Sequence, residues 1–382
     1  MQLKTIKTNL LLLLMGFVLA FMATEVLLRF YNPFQFRVKG NKIRLPVYFH
    51  YKFELTNVKR LEKVVSHTKN SLGFRGEERP EDFEKYLTIV TVGGSTTESF
   101  IITDGKAWPA LAGEKIKGRF KNVWLNNAGL DGHSTFGHIV LMKDFVVKLK
   151  PKVVLFLVGI NDLWLKDSQR FDAMLTSDLT LNLDSIKGFF RTMGNHSEVF
   201  ALAYNLYRFS KKIHYPYTDS PEIKLKEVKT LELKKSDEQE IIRGKIKEFK
   251  EKYEKNYSLR LEKLIKLSRE NNILPVLITQ PALYGDVVDD VTKVNLGAIM
   301  IEKGKNGKIA WESLELYNKV VREVGLEQNV MVVDLANEMP KSSKYFYDYI
   351  HFNNEGSEKV AEIVSRNLQP VLKKKFSDYS TE

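Results

Sequence analysis

Five short apolar runs, most of them rich in β-branched residues, divide the chain between residues 86 and 336. They begin at Tyr86 ("YLTIVTVGGS"), Asn122 ("NVWLNNAG"), Lys152 ("KVVLFLVGIND"), Asn272 ("NILPVLITQP") and Asn329 ("NVMVVDLA"). Near-continuous apolar runs of this length are typical of strands that are buried on both faces of a parallel sheet. Helical patterns such as "WPALAGEKIKGRF" and "AWESLELYNKVVREVG" separate the runs. The alternation predicts a three-layer α/β/α fold around a five-stranded parallel sheet.

An unbroken apolar stretch precedes this region. From Leu10 to Leu28 the chain reads "LLLLLMGFVLAFMATEVLL", in which Glu25 is the one charged residue. In a helix, about 19 residues span about 28 Å, close to the thickness of a bilayer core. We therefore predict a transmembrane helix within residues 1–30, acting as a membrane anchor or a signal segment. The stretch continues well past the small-residue site at Ala20, which favours an uncleaved anchor.

The remaining chain divides by composition. We assign residues 31–69 to a basic and aromatic juxtamembrane linker, 70–370 to the globular domain and 371–382 to a polar tail. The interval between the third and fourth runs is the longest and predicts an insertion at about 163–270.

The second half of the insertion has a helical pattern. Ser236 and Gln239 have the spacing of a capping box, which predicts a helix start there. Apolar residues then recur at steps of three or four, as expected for one helical face. They are Ile242, Ile246, Phe249, Tyr253, Tyr257, Leu261 and Leu264. This pattern predicts a long amphipathic helix packed on the sheet. For the aromatic segment 163–217, the alternative is a cap over the active site or a membrane-facing patch.

Composition excludes some functions. The net charge is +12, but the lysines lie along amphipathic segments, so we read them as solvated helix faces and predict no nucleic-acid partner. The chain contains no cysteine, which excludes disulfides and thiolate metal sites.

Small and polar residues follow the predicted strands, at the sheet edge where parallel α/β proteins bind ligands. Ser95 follows the first run in "GGSTT", Gly129 follows the second in "NNAG", and Asn161 follows the third in "GIND". Beyond the fifth run, "YFYDYIHFNNEG" contains Asp348 and His351, three residues apart.

Each of these pieces also has a purely structural explanation, as a turn, a helix cap or a satisfied contact. The Gly-x-Gly-x-x-Gly and Walker phosphate-binding patterns are absent. Asp348 and His351 are residue types that bind metal ions, but no further ligand follows at a suitable spacing. His133 and His138 do not have the i, i+4 spacing of two ligands on one helical face. We therefore predict neither a metal nor a cofactor.

Together the pieces supply every part of serine-dependent acyl transfer. In this interpretation Ser95 is the nucleophile, His351 is the base that takes its proton, and Asp348 orients His351. The backbone N–H groups of Ser95 and Gly129 and the side chain of Asn161 form the oxyanion hole.

The same residues resemble the motifs of the SGNH (GDSL-type) hydrolases, whose blocks contribute a Ser, a Gly, an Asn and a His. The Gly-x-Asn-Asp and Asp-x-x-His blocks are complete, and the resemblance extends from about Asn70 to Leu368, apart from the insertion at about 163–270. The first block reads Gly-Gly-Ser instead of Gly-Asp-Ser, as in a membrane-anchored GGSTT branch with an upstream loop such as "NSLGFRG". Within that loop Arg75 either lines the site or holds the loop.

The resemblance implies a flavodoxin-like sheet and hydrolysis of an acyl or acetyl ester of a lipid or carbohydrate. One alternative is an O-acyltransferase acting on an envelope polysaccharide. Another is a membrane-anchored binding or scaffold protein without catalysis. Anchored relatives face outward, which implies an extracytoplasmic (periplasmic or cell-surface) domain. The basic residues that follow the span, from Arg29 to Arg44, favour the opposite orientation by the positive-inside rule.

Overall fold

The computed structural model describes residues 2–32, 38–39, 42–55, 58, 60–166, 193–210 and 222–381. The chain forms two compact units. The smaller comprises Met1–Pro46 and Ala173–Tyr215, and the larger comprises Val47–Asp172 and Pro216–Glu382.

The described strands and helices are numbered here in chain order. The strands are β1 Val38–Lys39, β2 Lys42–Ile43, β3 Phe49–Glu54, β4 Val64–Lys69, β5 Leu87–Gly93, β6 Val123–Asn127, β7 Val153–Leu157, β8 Leu274–Ile278, β9 Met300–Glu302, β10 Lys305–Asn306 and β11 Met331–Val333. The helices are α1 Gln2–Phe30, α2 Ser95–Glu98, α3 Trp108–Lys117, α4 Thr135–Leu141, α5 Val147–Leu149, α6 Glu198–Ser210, α7 Lys235–Lys252, α8 Glu254–Glu270, α9 Gly307–Glu327, α10 Leu335–Glu338 and α11 Asn354–Lys375.

The larger unit is built on a five-stranded parallel sheet with the order β11-β8-β7-β5-β6. All seven residues of β5 and all five of β7 are buried, because side chains on both faces of these strands are covered. The helices pack in two groups, α3 with α11 and α8 with α4 and α9. The predicted α/β fold is confirmed, and each of its five strands falls within one of the five apolar runs.

The predicted helix of the insertion differs from the structure in two details. Ser236 and Gln239 do not form a capping box: α7 begins at Lys235, and the hydroxyl of Ser236 donates instead to the neighbouring Asp237 side chain. The predicted long helix is two helices, α7 and α8, which meet at Tyr253, where φ is −125°. The apolar face is nonetheless continuous, because the helices bury residues from Phe249 to Leu264.

The structure extends the larger unit at both ends of the predicted globular domain. Residues 47–69, assigned above to the linker, include the antiparallel pair β3–β4, whose Val65 packs with Ile102 in a separate small core. Within the predicted polar tail, Leu372 is fully buried and the Tyr379 hydroxyl donates to the Glu84 carbonyl. Apolar positions in both segments account for this packing.

The smaller unit contains α1, α6 and the two-residue strands β1 and β2. Within the described part of the chain, α1 is the one helix long and apolar enough to cross a membrane, over Thr5–Phe30. Residues 167–192 and 211–221 lie outside the described residues. Most of the segment 163–217, with its alternative as a cap or membrane-facing patch, therefore lies outside them too.

Candidate active site

Ser95 lies at the carboxyl end of the sheet, just beyond β5. The strand ends at Gly93, Gly94 follows, and Ser95 is the first residue of the short helix α2. Gly94 is required here by close approach, since a Cβ on it would lie 2.2 Å from Nδ2 of Asn161. The indole of Trp108 donates to the Thr96 carbonyl, which anchors the turn to α3.

His351 links Ser95 to Asp348. Its Nε2 lies 2.7 Å from the Ser95 hydroxyl oxygen, and its Nδ1 lies 2.7 Å from Oδ2 of Asp348. The three side chains therefore form a continuous hydrogen-bonded series. The structure thus brings together Ser95, His351 and Asp348, for which the sequence predicts the roles of nucleophile, base and orienting carboxylate.

A tight loop accounts for the three-residue spacing of Asp348 and His351. The second carboxylate oxygen of Asp348 accepts from the backbone N–H of Ile350 at 2.8 Å and of His351 at 2.7 Å. The ring of Tyr347 stacks on the imidazole, with 5.5 Å between centroids and 8° between planes. The loop is therefore closed by its own carboxylate, which holds the imidazole in one orientation.

Asp348 and His351 also shift each other's pKa. Burial acts to lower the pKa of the His351 imidazole, but the charge and hydrogen bond of Asp348, with a contribution from Asp131, raise it above its usual value. Burial acts to raise the pKa of Asp348, but the interactions with His351 and Ile350 lower it. Asp348 is therefore ionised at neutral pH, and the imidazole is stabilised in its protonated form.

Gly129 lies beyond β6, against α2. A Cβ on Gly129 would lie 2.4 Å from the backbone nitrogen of Glu98, so only glycine fits. Its own N–H donates to Oδ1 of Asn127 at 2.8 Å. In this structure the predicted oxyanion donor therefore has a protein acceptor.

Asn161 faces the turn at Gly94 from the segment after β7. One N–H of its amide group donates to the His133 carbonyl at 3.0 Å. The amide nitrogen carries two hydrogens, so a second N–H remains beside Gly94. The amide is therefore able to donate to a group at Ser95 without losing its contact with His133.

The carboxylate of the neighbouring Asp162 holds this segment in place through hydrogen bonds. Its carboxylate is buried and accepts from the backbone N–H and the hydroxyl of Thr135, at 3.1 Å and 2.5 Å. Arg260 of α8 lies 3.4 Å from the carboxylate and also donates to the Thr135 hydroxyl at 2.7 Å. One helix of the insertion thus contributes a charge partner to the block that carries Asn161.

Arg75 holds the loop that follows α2. Its guanidinium donates to the carbonyls of Glu98, Ser99 and Ile102 and pairs with Asp104. The side chain is buried, and all these contacts are to the 98–104 segment. They fit the loop-holding alternative for Arg75.

Two supporting residues were not singled out from the sequence. Asn127 accepts from Gly129 and donates to the Thr97 carbonyl at 2.6 Å, and so connects β6 to α2. The Glu98 carboxylate accepts from the Asp131 N–H at 2.6 Å and lies 3.3 Å from the buried Lys69 ammonium. The "NNAG" block offered a signal for Asn127, since its second Asn ends the strand.

No group of three or more histidine, aspartate or glutamate side chains placed to share a metal ion occurs among the described residues.

Several solved structures are similar to the chain over most of its length. The acetylxylan esterase Axe2 from Geobacillus stearothermophilus shares 14% identity over 73% of this chain and 93% of its own, with a TM-score of 0.39. A GDSL-like lipase from Bacteroides thetaiotaomicron shares 10% identity over 78% of this chain and 92% of its own, with a TM-score of 0.39. No curated protein sequence matches the chain significantly.

The family match is more direct. The profile of the GDSL-like Lipase/Acylhydrolase family matches residues 91–359, which is well over half of the chain and includes Ser95, Gly129, Asn161 and His351. The chain therefore belongs to the GDSL-like lipase/acylhydrolase family and is an enzyme of the esterase and lipase class.

Proposed function

We propose that the protein hydrolyses an acyl or acetyl ester of a lipid or carbohydrate, with Ser95 as nucleophile, His351 as general base and Asp348 as the group that orients it. The observation that carries this proposal is the pair of 2.7 Å contacts that His351 makes, one to Ser95 and one to Asp348. Both are within the range at which a proton is transferred between a nucleophile and its base.

The reaction proceeds in two steps, acylation of Ser95 and hydrolysis of the acyl-enzyme. First, Oγ of Ser95 forms a bond to the ester carbonyl carbon while its proton passes to Nε2 of His351. The alcohol then leaves with that proton, and an acyl-enzyme remains. In the second step water attacks the acyl carbon, gives a proton to His351, and releases the carboxylic acid as Ser95 regains its hydrogen. Asp348 stays ionised throughout and stabilises the imidazolium.

The oxyanion that forms in each step accepts from the backbone N–H of Ser95 and from the second N–H of Asn161. Gly129 joins them when its N–H exchanges the Asn127 oxygen for the oxyanion, which is the stronger acceptor because it is charged.

A fluorophosphonate probe tests the activated serine. We expect the probe to label Ser95 in the detergent-solubilised full chain, as located by mass spectrometry. Ser95→Ala and His351→Ala should abolish labelling, whereas Ser236→Ala, on the surface of α7, should not. Absence of labelling in folded wild-type protein would contradict the proposal and favour a non-catalytic role.

Product analysis separates hydrolysis from acyl transfer. With a radiolabelled acyl ester and an added polysaccharide acceptor, we expect the label to appear as free carboxylic acid. Recovery of most of the label on the acceptor would instead identify an O-acyltransferase.

We further propose that α1 is retained as an anchor, as in the membrane-anchored GGSTT branch, and that the catalytic domain is extracytoplasmic. Support comes from the 26 apolar-rich residues of Thr5–Phe30 and their exposure along the helix. Epitope tags at both ends of the chain test retention, since both should be found on one membrane-bound polypeptide. Protease added to intact spheroplasts should digest the domain but spare the N-terminal tag.

A further inference from the structure

One face of α1 is covered near its carboxyl end. Phe21, Glu25 and Leu28 follow at steps of four and three, so they share one face of the helix. Leu28 is 4% exposed, whereas Leu13, nearer the amino end, is 72% exposed. The ring of Phe21 lies 5.8 Å from the ring of Phe200 in α6. This face of α1 is therefore the docking face for α6, within the same compact unit.

Glu25 lies within the apolar stretch of α1, and its side chain caps the amino end of α6. Its carboxylate accepts from the Ser197 hydroxyl at 2.7 Å and from the backbone N–H groups of Glu198 and Val199, each at 3.1 Å. Arg29 pairs with the same carboxylate at 2.9 Å. The first N–H groups of a helix have no partner within the helix, and a carboxylate in a membrane span is costly unless it is hydrogen-bonded. The contact satisfies both requirements, and it explains why the span contains a glutamate.

Residues that follow α1 also contact the amino end of α6. The Glu198 carboxylate is almost fully buried and pairs with Lys39 and, at 3.1 Å, with Arg44. Asn32 donates to it at 3.1 Å. The amino end of α6 is therefore fixed by charged groups from both α1 and the residues just after it.

The outer face of α6 is apolar. Ala201 and Asn205 lie on the buried side of this helix, and Leu206 is 51% exposed. Four apolar residues that are not buried follow the spacing i, i+3, i+4 and i+7, which places them on one helical face. They form the outer stripe Val199, Leu202, Ala203 and Leu206.

We propose that α6 is a second membrane-contacting element, held on α1 through Glu25, with its outer stripe in the boundary between lipid headgroups and acyl chains. The lipid bilayer is the occupant that fits, because α6 packs on one face of α1 and the rest of α1 is apolar and exposed. Any bilayer that surrounds α1 is therefore within reach of the stripe. This inference goes beyond ester hydrolysis and rests on the proposed retention of α1.

A single engineered cysteine tests lipid contact, since the chain has no cysteine of its own. The full-length Leu206→Cys variant, labelled with a nitrobenzoxadiazole dye, is reconstituted into phosphatidylcholine vesicles that contain nitroxide-labelled lipid. We expect quenching close to that of Leu13→Cys in the span and severalfold stronger than that of Leu326→Cys. Leu326 is the matched control because it is a leucine of the larger unit and is 84% exposed. Quenching at residue 206 no stronger than at residue 326 would overturn the proposal.

Cross-linking tests the docking of α6 on α1. A short bismaleimide should join Phe21→Cys to Phe200→Cys within one chain, and should not join Phe21→Cys to Leu206→Cys. Adding Glu25→Ala should reduce the yield of the 21–200 cross-link towards that of the 21–206 pair. Failure of the 21–200 cross-link, or a 206–206 cross-link between chains without lipid quenching, would contradict the proposal. The fluorophosphonate reaction at Ser95 is a separate readout of whether the larger unit is folded.

Discussion

Nε2 of His351 lies 2.7 Å from Oγ of Ser95, although 256 residues separate the two in the sequence. Because the base acts as the neutral imidazole, kcat/KM should fall as pH falls through the raised pKa of His351. The pH profile of kcat/KM with p-nitrophenyl acetate measures this acidic limb.

Asp348→Asn should displace that limb and slow the reaction. Removing the carboxylate removes the main interaction that raises the pKa of His351, so the limb should move to lower pH. Loss of the orienting acceptor should lower kcat by about 10⁴-fold. Asp131→Asn is a control with a smaller expected effect. The charge of Asp131 contributes less than Asp348 to the raised pKa of His351, so this variant should shift the acidic limb less. An acidic limb that stays in place in Asp348→Asn would contradict the assignment.

Asn161→Ala should lower kcat by about 10²- to 10³-fold, since it removes one donor to the oxyanion. KM should change little, because the lost hydrogen bond forms only in the transition state. Asn337→Ala is the control: Asn337 is exposed and donates to Asp334, away from Ser95. A rise in KM with unchanged kcat would place Asn161 in ground-state binding instead.

Gly129→Ala should both destabilise the protein and slow its labelling by a fluorophosphonate. The new Cβ would lie 2.4 Å from the backbone nitrogen of Glu98, and overpacking of this kind costs about 1–3 kcal/mol. Gly244→Ala, in the exposed interior of α7, has nothing within 4 Å of its Cβ and should stabilise the protein by about 0.5–1 kcal/mol. Thermal unfolding of both variants measures the contrast, and equal effects would contradict it.

Arg260→Met should destabilise the larger unit by about 3–5 kcal/mol, because it removes a cation that pairs with the buried carboxylate of Asp162. Arg366→Met, which removes an exposed cation from α11, should leave the denaturation midpoint nearly unchanged. Guanidinium unfolding followed by circular dichroism compares the two. Similar midpoints would contradict this role of Arg260.

The five-stranded sheet and the proximity of Ser95, Asp348 and His351 were predictable from the sequence, because both depend on strong local signals. Buried parallel strands are apolar at consecutive positions, as in β7, and the groups at their carboxyl ends must meet at one edge. The spacing of Asp348 and His351 was equally informative, since one loop holds both.

Contacts between distant segments were not predictable in the same way. Asn127 and Arg260 act through partners on other elements, and neither has a local pattern that reveals its partner. The capping box at Ser236 was wrong because the N-cap of α7 is Lys234, two residues earlier. The role of Glu25 depends on α6, which begins 173 residues later in the chain.

The position of the histidine loop also bears on synthesis of the protein. The strand that presents Ser95 is complete early in the chain, but Asp348 and His351 follow all five strands of the sheet. A polypeptide still on the ribosome therefore carries its serine hydroxyl for some 250 residues of elongation without the imidazole that would activate it. Ester-cleaving activity should appear only near the end of translation, and fragments that stop before His351 should be inert towards esters.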